Sequence, residues 1–276
     1  MTSIDIEAGR TVTGRKPRSL RLPRLDRERL LPFAVPLALV LLWQAGSSLG
    51  LISDRVMPSP VAVTQAFWSV AADGSLGHNI LVSGVRALAG LAIGGSIGFL
   101  LGIANGVSKL SEQLTDTTLQ MIRTIPHLAM IPLVILWFGI GEEAKLFLTS
   151  LGVLFPIYLN TYHGVRNVDR GLIEMGRIYG MSNWSLFSKV IFPGALPSIF
   201  VGLRYALGIM WLTLIVSESI AASSGIGYMA NNAREFMMTD VVVLALVIYA
   251  VLGKLADVIA RSLERWTLSW NAAYQR

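Results

Sequence analysis

The chain has 276 residues, of which 53% are hydrophobic and only 14% charged, with a formal net charge of +6 and a mean hydropathy of +0.59. Soluble domains carry about 25% charged residues, so this composition excludes an ordinary soluble protein and points to an all-α integral membrane protein. Cysteine is absent, which excludes disulfides, thiolate metal sites and thiol catalysis, and His78, His127 and His163 show no metal-ligand spacing.

Residues 1–30 form a basic tail with eight Lys and Arg residues, a charge run that is disordered or lies on anionic headgroups. It lacks aromatic residues for base stacking and is fused to an apolar run, so a nucleic-acid role is a poor alternative. The apolar run starts too late and lacks a small-x-small cleavage pattern, so it is read as a retained span and not a signal peptide.

Six segments are long enough to cross a hydrocarbon core that needs about 20 residues per helix: 31–50, 80–107, 115–140, 145–163, 194–223 and 240–262. The second contains 21 uncharged residues from Ala87 to Val107, whereas Arg123, Arg204, Glu218, Lys254 and Asp257 interrupt later ones. Interrupted spans suit helices that face protein instead of lipid. With the N-terminus inside, 16 of the 23 basic residues fall on the cytoplasmic side, as positive charge retention requires, and both termini are cytoplasmic.

In the second segment Gly90, Gly94, Gly98, Gly102 and Gly106 recur every fourth residue along one ridge, which lets another helix approach closely, either as a static contact or as a sliding one. In the third, Pro126 and Pro132 each remove a backbone donor and are expected to kink the helix, making it a candidate pathway wall. His127 beside the break reads as a hydrogen-bonded core histidine or as a substrate contact. Arg204 lies about 15 Å into the fifth segment, where a bare charge costs about 3 kcal/mol, so it pairs with Asp257 or faces an anion. Glu218 lies about 21 Å further along and is no direct partner, while Lys254 and Asp257 share a helix face. Arg123, His127, Arg204 and Glu218 are the candidates for a translocation pathway. The stretch 221–240 suits a re-entrant or docking element, or a plain connecting helix.

Between Leu172 and Pro197 the polarity changes. Ile173, Met175, Ile178, Met181, Trp184 and Phe187 alternate with Glu174, Arg177, Asn183 and Lys189, too polar to span lipid and too apolar to stay solvated. A first helix is expected to run to Tyr179, with Gly180 turning the chain at positive φ. Ser182 caps a second helix that Pro193 closes. An interfacial anchor and a partner-docking hairpin are the two readings of such a segment. No G-x-x-x-x-G-K-[ST], nucleophile elbow or HExxH occurs, so the chain is not read as an enzyme and no catalytic or metal residue is assigned.

The spacing resembles the EAA signature of ABC-importer permeases: Glu-Ala-Ala, three residues, Gly, nine residues, Ile, one residue, Leu-Pro. Glu174, Gly180 and Pro193 match; Met175 and Gly176 replace the alanines, and Val190 and Phe192 the Ile and Leu. Together with the runs at 123–140, 154–172 and 194–216, the chain is similar to the nitrate, taurine and sulfonate branch of these permeases, and most like the membrane subunit of aliphatic sulfonate importers. The resemblance covers nearly everything after the first span.

It implies a type I ABC importer (MetI-like) permease fold of six transmembrane helices over 31–276, with an EAA loop at 166–193, in a bacterial inner membrane. It also implies a second copy of the chain, two cytoplasmic ATPase subunits that bind ATP and magnesium, an extracytoplasmic binding protein, and no cofactor in this chain. Glu174 and Gly180 carry over as ATPase-coupling residues, with Met181, Ser182 and Trp184 placed beside them by position. The cargo is expected to be an aliphatic sulfonate, with taurine, nitrate or another small nutrient as alternatives. From a different class, an ion-coupled secondary transporter would need no coupling helix.

Overall fold

The computed structural model describes residues 27–271, and helices account for nearly all of them. The basic tail expected over 1–30 therefore lies outside the described residues as far as 26. Helix α1 spans Arg27–Ser48, α2 Pro60–Ala72, α3 Ser75–Val107, α4 Lys109–Thr124, α5 Ile131–Phe138 and α6 Glu142–Arg166. They are followed by α7 Arg170–Ile178, α8 Asn183–Leu186, α9 Phe192–Ala221, α10 Ile226–Glu235 and α11 Thr239–Thr267.

Among the described residues four helices are long and apolar enough to cross a membrane: α3, α6, the run Asn183–Ile220 and α11. The pair formed by α4 and His127–Phe138 makes a fifth when taken together. The first expected span corresponds to α1, whose apolar part, Phe33–Ser48, is shorter than the others. Leu37, Leu41 and Leu42 are exposed, as lipid-facing side chains would be.

The bundle is built on α3, α6 and α9. The glycine ridge lies directly against α6: a Cβ on Gly90 would stand 2.5 Å from Thr149 Cγ2, one on Gly102 2.6 Å from Thr161 Cβ, and one on Gly106 2.7 Å from Val165 Cβ. At Gly94 and Gly98 the same atom would overlap the carbonyl oxygens of Ser150 and Leu154. Residue numbers rise together along this contact, so α3 and α6 run parallel. Close backbone approach recovers dispersion energy where lipid supplies no hydrophobic drive between helices. Helix α9 runs antiparallel to α6, with Ser198 Oγ donating to Asn160 O at 2.8 Å and Gly152 packed against Thr213. Helix α11 runs antiparallel to α9.

Two expectations need correction. Pro132 does not kink a span: it occupies the first turn of α5, where a missing N–H costs nothing. The break falls at Ile125 and Pro126, and α4 meets the following segment at 78°. Pro193 likewise does not close a helix. Phe187–Ile191 is a π-helical turn in which Phe192 N–H donates to Phe187 O, and the chain continues from α8 into α9 as one 38-residue run, Asn183–Ile220. The wider turn shifts the carbonyl that the Pro193 ring would otherwise strike, and Pro193 itself sits in the first turn of α9.

The two ends of the bundle differ in character. One carries α7, α8 and the ends of α3 and α6, and is called the α7 end. The other carries α2, α10 and the start of α11, and is called the α10 end. There Ile226, Met229, Leu244 and Ile248 form a buried core with Val63, Ala66 and Leu76.

Candidate functional site

The α7–α8 hairpin is built by local capping. Asp169 Oδ1 accepts from Gly171 N at 2.8 Å and starts α7, and Ser182 Oγ accepts from Ser185 N at 3.2 Å and starts α8. Between them Gly180 has φ +73°, Gly180 N donates to Arg177 O and Met181 N to Gly176 O, each at 3.0 Å. A residue with a Cβ pays a steric penalty at that dihedral, which is why glycine stands there. The hairpin closes over buried Gly176, where an added Cβ would come within 2.7 Å of Leu186 Cδ1 and 3.2 Å of Met181 Sδ. The glycine that replaces the second alanine of the EAA pattern thus sits at the tightest point of the turn.

The outer surface of the hairpin is apolar. Ile178 is 85% exposed, Tyr179 79% and Trp184 75%, with Leu172 and Met175 beside them. Glu174 and Ser182 are exposed on the same hairpin, whereas Met181 is half-buried against Gly176. The indole of Trp184 stacks on Phe187 with ring centroids 5.9 Å apart. Several large exposed apolar side chains interspersed with Glu174 and Arg177 on a capped turn are suited to docking another protein.

The four residues proposed for a pathway do not converge. Arg123 is exposed in the last turn of α4. His127 is half-buried, with Nε2 3.0 Å from Thr213 Oγ1, the geometry of a hydrogen-bonded core histidine. Arg204 Nε donates to Asp257 Oδ1 at 3.0 Å and its guanidinium reaches Glu264 at 3.8 Å. Asp257 also receives Lys254 at 3.8 Å and Arg261. Glu218 lies at the far end of α9, buried to 1% exposure.

Glu218 belongs to a network at the α10 end that the sequence reading did not assemble. Its carboxylate accepts from Arg86 Nη1 at 2.8 Å, Ser83 Oγ at 2.8 Å, Gly227 N at 2.9 Å and Tyr249 Oη at 3.0 Å. Arg86 also donates twice to Glu142 at 2.6 Å and once to Ser224 O at 2.6 Å, and Lys145 Nζ donates to Glu142 at 2.9 Å. Gly225 N and Ile226 N donate to Asn79 and Ser83 on α3. The network therefore staples the turn into α10 onto α3, and α10 folds against α9 and α11 instead of merely linking them. One signal was available: Arg86 immediately precedes the uncharged run of α3, and Glu142 lies three residues before Lys145.

A second polar cluster fixes the α7 end. Asn105, fully buried, donates to Thr115 Oγ1 at 2.8 Å and Tyr158 Oη at 3.0 Å, and Glu112 accepts from Tyr162 and pairs with Arg166 at 3.0 Å. It locks the first turns of α4 to α3 and α6, at the opposite end of α4 from the break.

Comparison with known proteins agrees with this architecture. Residues 94–269 match the family described as binding-protein-dependent transport system inner membrane component. A protein of Escherichia coli (strain K12) carrying the name aliphatic sulfonates transport permease SsuC is 59% identical over 246 residues, covering 89% of this chain and 94% of its own. One of the same name from Bacillus subtilis (strain 168) is 43% identical over 241 residues, covering 87% of each. The crystal structure of an amino acid ABC transporter with histidines superposes at a TM-score of 0.57 and 18% identity, covering 68% of this chain and 91% of that one, a likeness of fold. The chain belongs to the binding-protein-dependent transport system inner membrane component family, the membrane permeases of ABC importers.

Proposed function

We propose that this chain is the permease subunit of an ATP-driven importer of aliphatic sulfonates. The observation that carries the cargo is the 59% identity to the Escherichia coli protein over 94% of that protein's length, which includes both ends of the bundle. In this reading two copies form the pathway, two ATPase subunits bind ATP and magnesium, and an extracytoplasmic binding protein delivers the sulfonate. Both termini and the α7 end lie in the cytoplasm, in keeping with Lys109, Arg166, Arg170, Arg177 and Lys189 at that end.

The α7–α8 hairpin is the coupling element. Its exposed Ile178, Tyr179 and Trp184 enter a groove on the ATPase, Glu174 meets a basic group there, and Gly180 and Ser182 hold the turn rigid. The helical run from α8 through the π turn into α9 supports this role, because displacement of the hairpin would be carried into the membrane along one continuous helix. The residues at mid-membrane guide an anion without binding it tightly. The half-exposed guanidinium of Arg204 stands beside a cavity lined by Val201, Tyr205 and Asp257.

The test is ATP hydrolysis in nanodiscs by this chain coexpressed with an ABC ATPase and an extracytoplasmic binding protein from the same organism, comparing alkanesulfonates, taurine and nitrate. Stimulation by alkanesulfonates is the expected result. Stimulation by taurine or nitrate instead would overturn the cargo alone, and failure of any ATPase to associate would overturn the permease reading.

A further inference from the structure

We propose that the groove between α7 and the adjoining ends of α3 and α6 is a binding site for a tetrahedral oxyanion, filled in the membrane by the headgroup phosphate of an anionic phospholipid. A cavity of about 580 Å³ opens there. Four of its lining residues are cationic, Lys109, Arg166, Arg170 and Arg177, and none is a carboxylate. Arg170 and Arg177 are seven residues apart on α7 and so share a face, which turns both toward the same space.

The four cations differ in how they are balanced. Arg166 pairs with Glu112 at 3.0 Å and its guanidinium lies 5.8 Å from the centre of the Tyr162 ring, so it is already compensated and held in position. Lys109, Arg170 and Arg177 have no ion-pair partner among the described residues. Three like charges around one cavity oppose each other until an anion enters it.

Depth and lining favour a lipid over a free ion. Lys109 follows the last residue of α3 by two positions and Arg166 is the last residue of α6, so both stand where the spans leave the hydrocarbon, at headgroup level. Phe187 and Ile191 line the same cavity and give it an apolar floor. A basic pocket between transmembrane helices with an apolar floor matches an anionic headgroup and the root of its acyl chains. Occupancy would cross-link α7 to α3 and α6 and hold the hairpin at a fixed angle to the bundle.

The test uses the full-length chain reconstituted in nanodiscs of equal phosphatidylglycerol and phosphatidylethanolamine, with retained lipid counted by native mass spectrometry. Wild type is expected to retain phosphatidylglycerol preferentially. Each neutralised cation should lower that retention about fivefold, so Arg170→Gln with Arg177→Gln lowers it about 25-fold, and Lys109→Gln alone about fivefold. Arg170→Lys with Arg177→Lys should keep most of it, and Arg55→Gln, an exposed cation at the α10 end, should leave it unchanged. A second arm titrates sodium sulfate into the chain in phosphatidylethanolamine alone, by calorimetry. Sulfate binding that the Gln pair abolishes, without lipid preference in the first arm, would support the oxyanion site with a soluble ligand as its source. Equal phosphatidylglycerol retention by wild type and the Gln pair, with no sulfate binding, would overturn the proposal.

Discussion

Arg86 on α3 donates to Glu218 on α9 at 2.8 Å, an ion pair buried on both sides and separated by 132 residues of sequence. The same guanidinium holds Glu142, whose side chain is 55% exposed, so one arginine links the starts of α3 and α6 to the end of α9. Desolvation makes such a pair a weak net stabiliser, but loss of one member leaves a bare buried charge.

Arg86→Met is therefore expected to destabilise the chain by about 3–5 kcal/mol and to lower its thermal midpoint sharply in detergent. Glu142→Gln should cost far less, because water reaches that carboxylate. The Arg86→Met, Glu218→Met double variant should recover part of the loss, since no unpaired charge remains. A thermal series on the three proteins checks the order, and a double variant as weak as the single one would refute it.

The glycine ridge makes a prediction within a single helix. Gly94→Ala and Gly98→Ala place a Cβ into carbonyl oxygens of α6 and should destabilise by about 1–3 kcal/mol or more, whereas Gly84→Ala on the same helix meets nothing within 4 Å and should be neutral or slightly stabilising. Folded yield from membranes, compared across the three, is the measurement. A ridge that serves as a loose sliding surface would tolerate Gly94→Ala.

At Gly180 the constraint is dihedral and not spatial, since φ is +73° and nothing lies within 4 Å of an added Cβ. Gly180→Val should strain the turn by about 1–2 kcal/mol, while Gly180→Asn, which tolerates positive φ, should be nearly silent. The expected outcome is loss of ATPase copurification for Val, retention for Asn, and the same thermal midpoint of the bundle for both.

Asp257 faces Arg204, Lys254 and Arg261 at once. Asp257→Asn removes the carboxylate that these three cations share, and should lower the amount of protein found in membranes more than Arg204→Gln does. Combining the two should restore part of the level. Quantitative blotting of membrane fractions tests this, and equal levels for Asp257→Asn and wild type would show that the cluster is solvated.

Much of this was legible in the residues because the physics is local. Apolar length sets where helices cross, a period of four sets the glycine ridge, and capping chemistry with a positive-φ glycine sets the hairpin at Gly180 and Ser182. The cost of a bare charge in lipid singles out Arg204 and Asp257, and few residues were available for each to meet.

By itself the sequence determined the helical bundle, its ridge, its hairpin and the need for buried pairs. Only the tertiary structure decided which charges meet and where helices end. Glu218 finds Arg86, Ser83, Gly227 and Tyr249 because four helices and a turn converge at the α10 end, and no pattern along the chain encodes that convergence. Pro193 fails to stop a helix because a π turn precedes it, and Pro132 fails to kink one because Pro126 has already broken it. A proline's effect depends on its position within its helix, and that position is fixed by packing around it.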